Sequence, residues 1–279
     1  MKRIKSFDKD VPVLYLIATP SGNLGEFSTR AINLINEMDL VAAEDTRNTL
    51  DLLHRFNISK PAISLREHNE IEASQKIIEE IKKGKKVAYM SDAGYPGISD
   101  PGYLVTKLCV ENEIAVSVVS GGCAFINALT SSGIDTSHFY FHGFLSSKPS
   151  EAKAELEELK NKKETIIFYE SPHRIESTIN LLLEVLGDRY ISLQRELTKI
   201  NEEKLYGHLS EFKNIDINSL KGEMVIVVSG NSNEEEFSDE EIVSKINYFI
   251  NKGMDKKSAI EATSDIYNIR KNRIKDLIK

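Results

Sequence analysis

Residues 13–38, VLYLIATPSGNLGEFSTRAINLINEM, set the plan of this chain. Val13 to Thr19 is a short, almost unbroken apolar run of the kind that forms a buried strand. Pro20, Gly22 and Gly25 then turn the backbone, and Phe27, Ala31, Leu34, Ile35 and Met38 recur at helical spacing. Strand, glycine turn and helix in that order open a layered α/β fold.

The alternation continues outward from this unit. Leu40–Ala43, Ala62–Leu65, Lys86–Ser91 and Ile114–Val119 read as strands. Thr46–Phe56, Glu70–Lys83, Tyr103–Asn112 and Ala124–Ser131 read as helices, with Gly84 closing the second of them. Gly121 and Gly122 suggest a hinge, so an N-terminal α/β domain is expected over 1–121 and a second over 122–230. In the second, His138–Phe144, Thr165–Tyr169, Tyr190–Glu196, Glu203–Tyr206 and Met224–Val228 are the expected strands. Ser150–Asn161, Ile175–Leu186 and a short piece at Leu209–Phe212 are the helices. An acidic linker over 231–236 leads to Ser238, which with Glu241 forms a capping box. Three helical stretches up to residue 279 complete a small extension similar to a helix-turn-helix module.

Composition limits what such a chain can be. It has 279 residues, 41% hydrophobic and 28% charged, near the norm for globular proteins. No apolar run approaches the ~18–20 residues of a membrane span. The basic N-terminus is broken by Asp8, Asp10 and Pro12, so it reads as the approach to a strand and not as a signal peptide. Two cysteines, Cys109 and Cys123, make neither a disulfide framework nor a zinc site. A cytoplasmic, metal-free protein is the expectation. The net charge of −7 argues at first against a polyanionic partner. From residue 251 onward, however, eight basic residues face four acidic ones, so the tail carries +4 and the remainder −11.

Neither GxGxxG after the first strand nor a GxxxxGKS phosphate loop occurs, which removes the dinucleotide-binding and P-loop readings. HExxH and GxSxG are also absent. In their place, six polar loops follow predicted strands, at the strand ends where open α/β sheets bind ligands. They are 19–25 (TPSGNLG), 44–47 (EDTR), 66–70 (REHNE), 91–102 (SDAGYPGISDPG), 170–174 (ESPHR) and 195–199 (RELTK). Any one of them alone is most simply a turn or a cap, with Asp100 capping a helix that begins at Pro101. Together they outline a site, and the glycines of 91–102 let backbone groups approach a ligand closely.

The strings LYLIATPSGNLGEFSTRA, AAEDTRNT, REHNE, SDAGYPGISDPG, FYESPHR and RELTK, in this order and spacing, resemble the ribosomal RNA small subunit methyltransferase I family. That family lies within the tetrapyrrole methylase superfamily. The resemblance covers about residues 12–229. It implies a two-domain tetrapyrrole methylase-like α/β fold, unlike the Rossmann methyltransferases, with a small C-terminal helical extension. It also implies S-adenosylmethionine bound between the two domains and a homodimer. By similarity the cofactor is surrounded by Pro20, by Ser91, Asp92, Ala93 and Gly94, and by Ile98 and Ser99. Gly122, Cys123 and Ala124, then Tyr169, Leu197, Glu223 and Met224, complete the set. The implied reaction is 2′-O-methylation of a cytidine ribose in the decoding region of small-subunit ribosomal RNA, in free or assembled form. The chain departs from the family at Ser120-Gly121-Gly122-Cys123-Ala124, where relatives usually have Pro-Gly-x-Ser-Ala.

Methyl transfer to a hydroxyl asks the protein to align two reactants and to help remove a proton. Glu170 and His173 are the first candidates for that work and Asp45 the next. Arg47, Arg174 and Lys199 near the cleft, and Arg270, Lys271, Arg273 and Lys275 in the tail, are the candidate RNA contacts. Lys148 is a further one, and Tyr267 could stack on an unpaired base or pack internally. Two other functions fit the same residues. One is a methyltransferase of this fold acting on a tetrapyrrole or another small molecule. The other is a non-catalytic RNA-binding factor in ribosome assembly, for which the altered 120–124 turn speaks.

Overall fold

The computed structural model describes residues 1–6, 12–214, 216, 220–232, 238–267 and 269–278. The acidic run Glu234–Glu236 and Lys279 lie outside them. Met1–Gly230 form one compact unit and Asn231–Lys279 another.

The first sheet is built from β1 (Val13–Ile17), β2 (Leu40–Ala43), β3 (Ala62–Ser64), β4 (Val87–Met90) and β5 (Ala115–Val119), in the order β3-β2-β4-β1-β5. All its pairings are parallel. Its central strands are buried on both faces, which is why they read as continuous apolar runs. Leu14, Leu16, Leu40, Ala42, Val87 and Tyr89 point to one face. There they meet α3 (Glu70–Lys82) and α4 (Tyr103–Glu111). Ile17, Val41, Ala88 and Met90 point to the other, against α1 (Thr29–Asn36) and α2 (Thr46–Arg55). Each fully buried Leu or Ile in these layers contributes about 1.5–3 kcal/mol. Two of these helices start on side-chain caps: Ser28 accepts from the Ala31 N–H and Asp45 from the Arg47 N–H.

The second sheet holds β6 (Phe139–Phe144), β7 (Thr165–Glu170), β8 (Tyr190–Arg195), β9 (Glu203–His208) and β10 (Met224–Val228), in the order β6-β7-β10-β8-β9. Here only β6 and β7 run parallel. The other pairings are antiparallel. Ile166, Phe168, Leu193 and Ile226 pack against α6 (Pro149–Leu159) and α7 (Ile175–Leu186). Ile167, Val225 and Val227 pack on the opposite face against α5 (Ala124–Thr130). Between the sheets the chain passes through Gly121 and Gly122. A Cβ on Gly121 would lie 3.0 Å from the Cβ of Ala18, so β1 closes tightly on this connection.

The second unit contains α8 (Asp239–Asn251), α9 (Lys256–Tyr267) and α10 (Lys271–Leu277), packed around Ile242, Ile246, Ala259, Ile260 and Ile274. Ser238 and Glu241 make the expected capping box on α8. Among the described residues, no helix is long and apolar enough to cross a membrane.

Candidate active site

Because β4, β1 and β5 are neighbours and parallel, the loops after them emerge side by side. They are stitched together. Thr19 and Gly94 exchange two backbone hydrogen bonds of 2.8 and 3.0 Å, and the Thr19 hydroxyl donates to the Ser91 carbonyl at 3.1 Å. The Tyr95 hydroxyl accepts from the Gly121 N–H at 3.2 Å.

The long loop 91–102 is also held from behind. Glu70, the last residue of the REHNE string, accepts from the N–H groups of Gly102 and Leu104 at 2.9 and 3.1 Å. It thereby caps α4 from another helix, since Gly102 at the N-cap has no side chain to do so. Tyr89 donates its hydroxyl to the Pro101 carbonyl at 2.7 Å. Gly102 has φ +140°, and a Cβ there would lie 2.9 Å from the Gly97 nitrogen, so only glycine fits.

The second sheet supplies the opposite wall through the register of β10. Met224, its first residue, pairs with Glu170 at the end of β7 on one side and with Arg195 at the end of β8 on the other. The FYESPHR and RELTK strings, well separated in sequence, therefore meet at one point. In RELTK, Glu196 and Thr198 both have positive φ, 50° and 68°. Such strain costs of order 1–3 kcal/mol per residue and here brackets Leu197. Lys199 is spread across Gly22, where a Cβ would fall 2.4 Å from its Cγ. Its ammonium pairs with Glu196 at 3.0 Å and Glu223 at 3.5 Å.

These loops enclose a cavity of about 270 Å³. Of the residues expected around a cofactor, Ala93, Gly94, Ile98, Ser99, Cys123, Ala124, Tyr169, Leu197, Glu223 and Met224 line it. Pro20, Ser91, Asp92 and Gly122 are not in its wall. Ser91 is buried beneath the loop, where its hydroxyl reaches the Ala93 and Gly94 carbonyls at 3.4 Å. Asp92 instead accepts from the Asp45 N–H and the Asn48 amide. Gly122 sits beside Glu26, whose Oε2 is buried without a hydrogen-bond partner among the described residues. Cys123 occupies the N-cap of α5 in extended conformation but makes no side-chain cap. Burial pushes its thiol pKa up.

The wall also contains Tyr95, Asp100, Ser171 and Pro172 from the polar loops 91–102 and 170–174, and Phe144, which the sequence pattern did not single out. Three carboxylates line it, those of Asp100, Glu170 and Glu223, and among the described residues no lysine or arginine does. Burial, reinforced by Glu44, Asp92 and Glu223 nearby, pushes Asp100 up to about 7. Burial likewise raises Glu44. Among the described residues, no group of His, Cys, Asp and Glu has the arrangement of a metal site.

The profile of the tetrapyrrole (corrin/porphyrin) methylases matches residues 13–213. The ribosomal RNA small subunit methyltransferase I of Bacillus subtilis is 41% identical over 99% of this chain and 98% of its own length. Its counterpart in Haemophilus influenzae is 40% identical over 94% of both chains. This chain belongs to the ribosomal RNA small subunit methyltransferase I family. Solved tetrapyrrole methylases share the fold: a Thermus thermophilus uroporphyrin-III-C-methyltransferase superposes with TM-score 0.56 at 16% identity, covering 78% of this chain and 94% of its own. A cobalt precorrin-4 methyltransferase does so with TM-score 0.58 at 14% identity, also covering 78% of this chain and 94% of its own.

As a member of this methyltransferase family the protein uses S-adenosylmethionine, and its cavity fits that molecule. Aromatic and aliphatic walls from Phe144, Tyr169, Leu197 and Met224, with carboxylates and no cation among the described residues, suit a sulfonium ion, which is positive and weakly hydrated. The exposed edges of loop 91–102 offer backbone groups for the remainder.

The family member's geometry revises the proton-acceptor candidates. Side chains alternate along β7, so Tyr169 faces the α5 side with Ile167, while Glu170 shares the α7 side with Phe168. Glu170 is 2% exposed and its oxygens accept from the Ser171 N–H at 2.8 Å and the Thr178 hydroxyl at 2.6 Å, with Arg174 at 3.4 Å. That carboxylate, at the edge of the cavity wall, anchors α7 and the 171–174 loop. His173 is exposed and outside the cavity wall. Asp45 is also outside it, held by Arg47 at 2.6 Å and Arg66 at 3.1 Å, and the Arg47 hydrogen bond pulls its pKa well below the usual carboxylate range.

The candidate RNA contacts separate in the same way. Arg174 spends its guanidinium on the Leu145 and Ser146 carbonyls at 3.0 and 3.2 Å, and Lys199 is ion-paired as described. Arg47 is 83% exposed and Lys148 pairs with Glu151 on the surface. In the helical unit Arg270 and Lys275 are exposed, Lys271 pairs with Glu261, and Arg273 pairs with Asp239 at 3.2 Å. Tyr267 packs against the core of that unit.

Proposed function

We propose that this protein transfers the methyl group of S-adenosylmethionine to the ribose 2′-hydroxyl of a cytidine in the decoding region of small-subunit ribosomal RNA. The observation that carries this reading is coverage. The methyltransferase I relatives match 94–99% of the chain, helical unit included. The uroporphyrin and precorrin methyltransferases match only 78% of it although 94% of their own length is used. The share of this chain they leave uncovered is large enough to hold residues 231–279, which include the basic stretch from residue 251 onward.

The bound donor supplies an electrophilic methyl group on a sulfonium centre. The protein's part is alignment and exclusion of water. Leu197, fixed between two strained residues, and Tyr169 bound the cavity on one side, and loop 91–102, anchored by Glu70 and Tyr89, bounds it on the other. Attraction to RNA phosphates falls to exposed cations: Arg47 in the α/β unit, with Arg270, Lys271, Arg273 and Lys275 in the helical unit. Ion pairs such as Lys271–Glu261 lie in solvent, where they are weak and exchange readily for phosphate.

The test is transfer of labelled methyl to isolated small subunits, naked small-subunit RNA and a tetrapyrrole, followed by mapping of the modified nucleotide. Label on a cytidine 2′-oxygen of the decoding region is the expected result, and label on the tetrapyrrole alone would overturn it. Absence of S-adenosylmethionine binding at millimolar concentration in calorimetry would leave only a non-catalytic role. Removal of residues 238–279 should abolish transfer to RNA while donor affinity is kept. Light scattering at micromolar concentration tests the homodimer that the family resemblance implies.

A further inference from the structure

The rim of the cavity carries an aromatic side chain whose placement depends on an irregularity in β6. Phe141 pairs with Ile167 of β7, and in unbroken register Phe144 would then pair with Glu170, on the side of α7. A bulge intervenes. Gly143 pairs with Phe168 and Phe144 with Tyr169, so Phe144 comes to the cavity side instead. Gly143 has φ 83°, which glycine adopts without strain. Across the rim stands Ser99 of loop 91–102, whose hydroxyl would lie 3.4 Å from a Cβ on Gly143. The end of β6 therefore meets the loop that carries Ile98.

Phe144 lines the cavity, yet it is 54% exposed, and Ile98 is likewise in the wall and 41% exposed. Phe144 is held in place from within. Its ring lies edge-on to Tyr169 with centroids 5.5 Å apart, Tyr169 lies edge-on to Phe141 at 5.0 Å, and Phe141 stacks on Phe125 at 4.4 Å. A firmly supported aromatic ring, turned to the mouth of a cavity by a bulge and left half uncovered beside an isoleucine, is a platform for a flat ligand. The charge of the wall selects among such ligands. It holds three carboxylates and, among the described residues, no lysine or arginine, so it repels a phosphate group. A nucleobase is uncharged and has an apolar face, and cytosine also offers an exocyclic amine to acceptor oxygens.

We propose that Phe144 and Ile98 form a nucleobase subsite at the mouth of the donor cavity, where the base of the target cytidine stacks on the Phe144 ring and Ile98 bounds it. This rests on the reading of the protein as an RNA ribose methyltransferase. Unpaired bases of RNA are splayed out of the stack and taken up on aromatic side chains in this way. The consequence for the reaction is positional. Holding the base holds the ribose joined to it, and so brings the 2′-hydroxyl to the cavity in which the donor lies. Phosphates of the same strand stay outside, on the exposed cations.

The chain contains no tryptophan, so Phe144→Trp introduces a single indole whose fluorescence reports on what stacks there. The protein is first saturated with S-adenosylhomocysteine, the donor without its methyl group. A labelled single-stranded RNA of the decoding region is then added, with complex formation followed by anisotropy. The RNA should quench the indole, and the same RNA with an abasic ribose in place of the mapped cytidine should bind without quenching it. Equal quenching by both RNAs, or a complex with no quenching by either, overturns the proposal. With donor saturating, Phe144→Ala should lower kcat/KM for isolated small subunits by about 5–100-fold, the worth of one base–aromatic stack, and Phe144→Trp should restore it. An unchanged kcat/KM in Phe144→Ala overturns the proposal, as does a loss of the same size in Phe144→Trp. If wild type neither binds RNA nor transfers to small subunits, the proposed function fails and the subsite with it, whereas normal transfer with equal quenching fails the subsite alone.

Discussion

Glu70→Ala removes one side chain and two hydrogen bonds at once. Both are charge-assisted, from the N–H groups of Gly102 and Leu104 at 2.9 and 3.1 Å, in a partly buried place. Such bonds contribute about 1.5–3 kcal/mol each, less where water can replace the lost acceptor. Glu70 also acts as the N-cap that α4 lacks, which is worth about 1–2 kcal/mol for the cap and up to ~2 for a negative charge at a helix N-terminus. Both routes give a loss of about 2–4 kcal/mol, or about 4–16 °C in melting temperature for a unit of this size. The consequence for function follows from position. Loop 91–102 runs into α4 through Gly102, so releasing it loosens Gly94, Ile98, Ser99 and Asp100 in the cavity wall. Thermal melting and calorimetry with S-adenosylmethionine measure the two effects. Glu70→Gln, which keeps an acceptor oxygen but loses the charge, should show about half the loss. A Glu70→Ala protein with unchanged melting temperature and donor affinity would refute the role of Glu70 as a cap supplied from another helix.

Four more outcomes are expected. Cys123→Ser places a hydroxyl at an uncapped N-cap already in extended geometry, and should stabilise the protein by about 0.5–1 kcal/mol in denaturant titration. Gly102→Ala should cost about 2–4 kcal/mol, since its Cβ meets the Gly97 nitrogen at 2.9 Å and its φ is +140°, and a melting temperature within about 2 °C of wild type would contradict this. Asp100 titrates near 7 when folded and near 4 when unfolded, so the folded state binds the extra proton and stability falls as pH rises from about 4 to about 7. A half-open site screens this to about 1–2 kcal/mol, and Asp100→Asn should flatten that slope in melts across pH. Ser238→Ala breaks the capping box of α8 and should destabilise the helical unit by about 1 kcal/mol, read from hydrogen exchange of α8 amides.

Much of this molecule is legible along the chain because its signals are local. Thr29–Asn36 and Ile175–Leu186 follow from apolar spacing and flanking caps, and β2 and β4 from unbroken apolar runs, with boundaries shifting by a residue or two. The strand end at Glu170 shifted by one residue, and that one residue mattered. Reading the strand as ending at Tyr169 left Glu170 free in a loop, whereas as the last residue of β7 it is turned by strand alternation to α7 and Thr178.

By itself the sequence determined the order of strands and helices and the basic tail, and through the family resemblance of its strings it implied the methyl donor. Those are properties of short segments or of strings whose chemistry travels with them. Only the tertiary structure decided which carboxylates are paired. Arg174, Lys199 and Thr178 come from other loops and helices to occupy Glu170 and Glu223, and Glu44 and Asp92 approach Asp100 because β2 and β4 are neighbours in the sheet. Charge on an acidic residue is written in the chain. Whether that charge is paired, and therefore what it can do, depends on partners that only folding brings within reach.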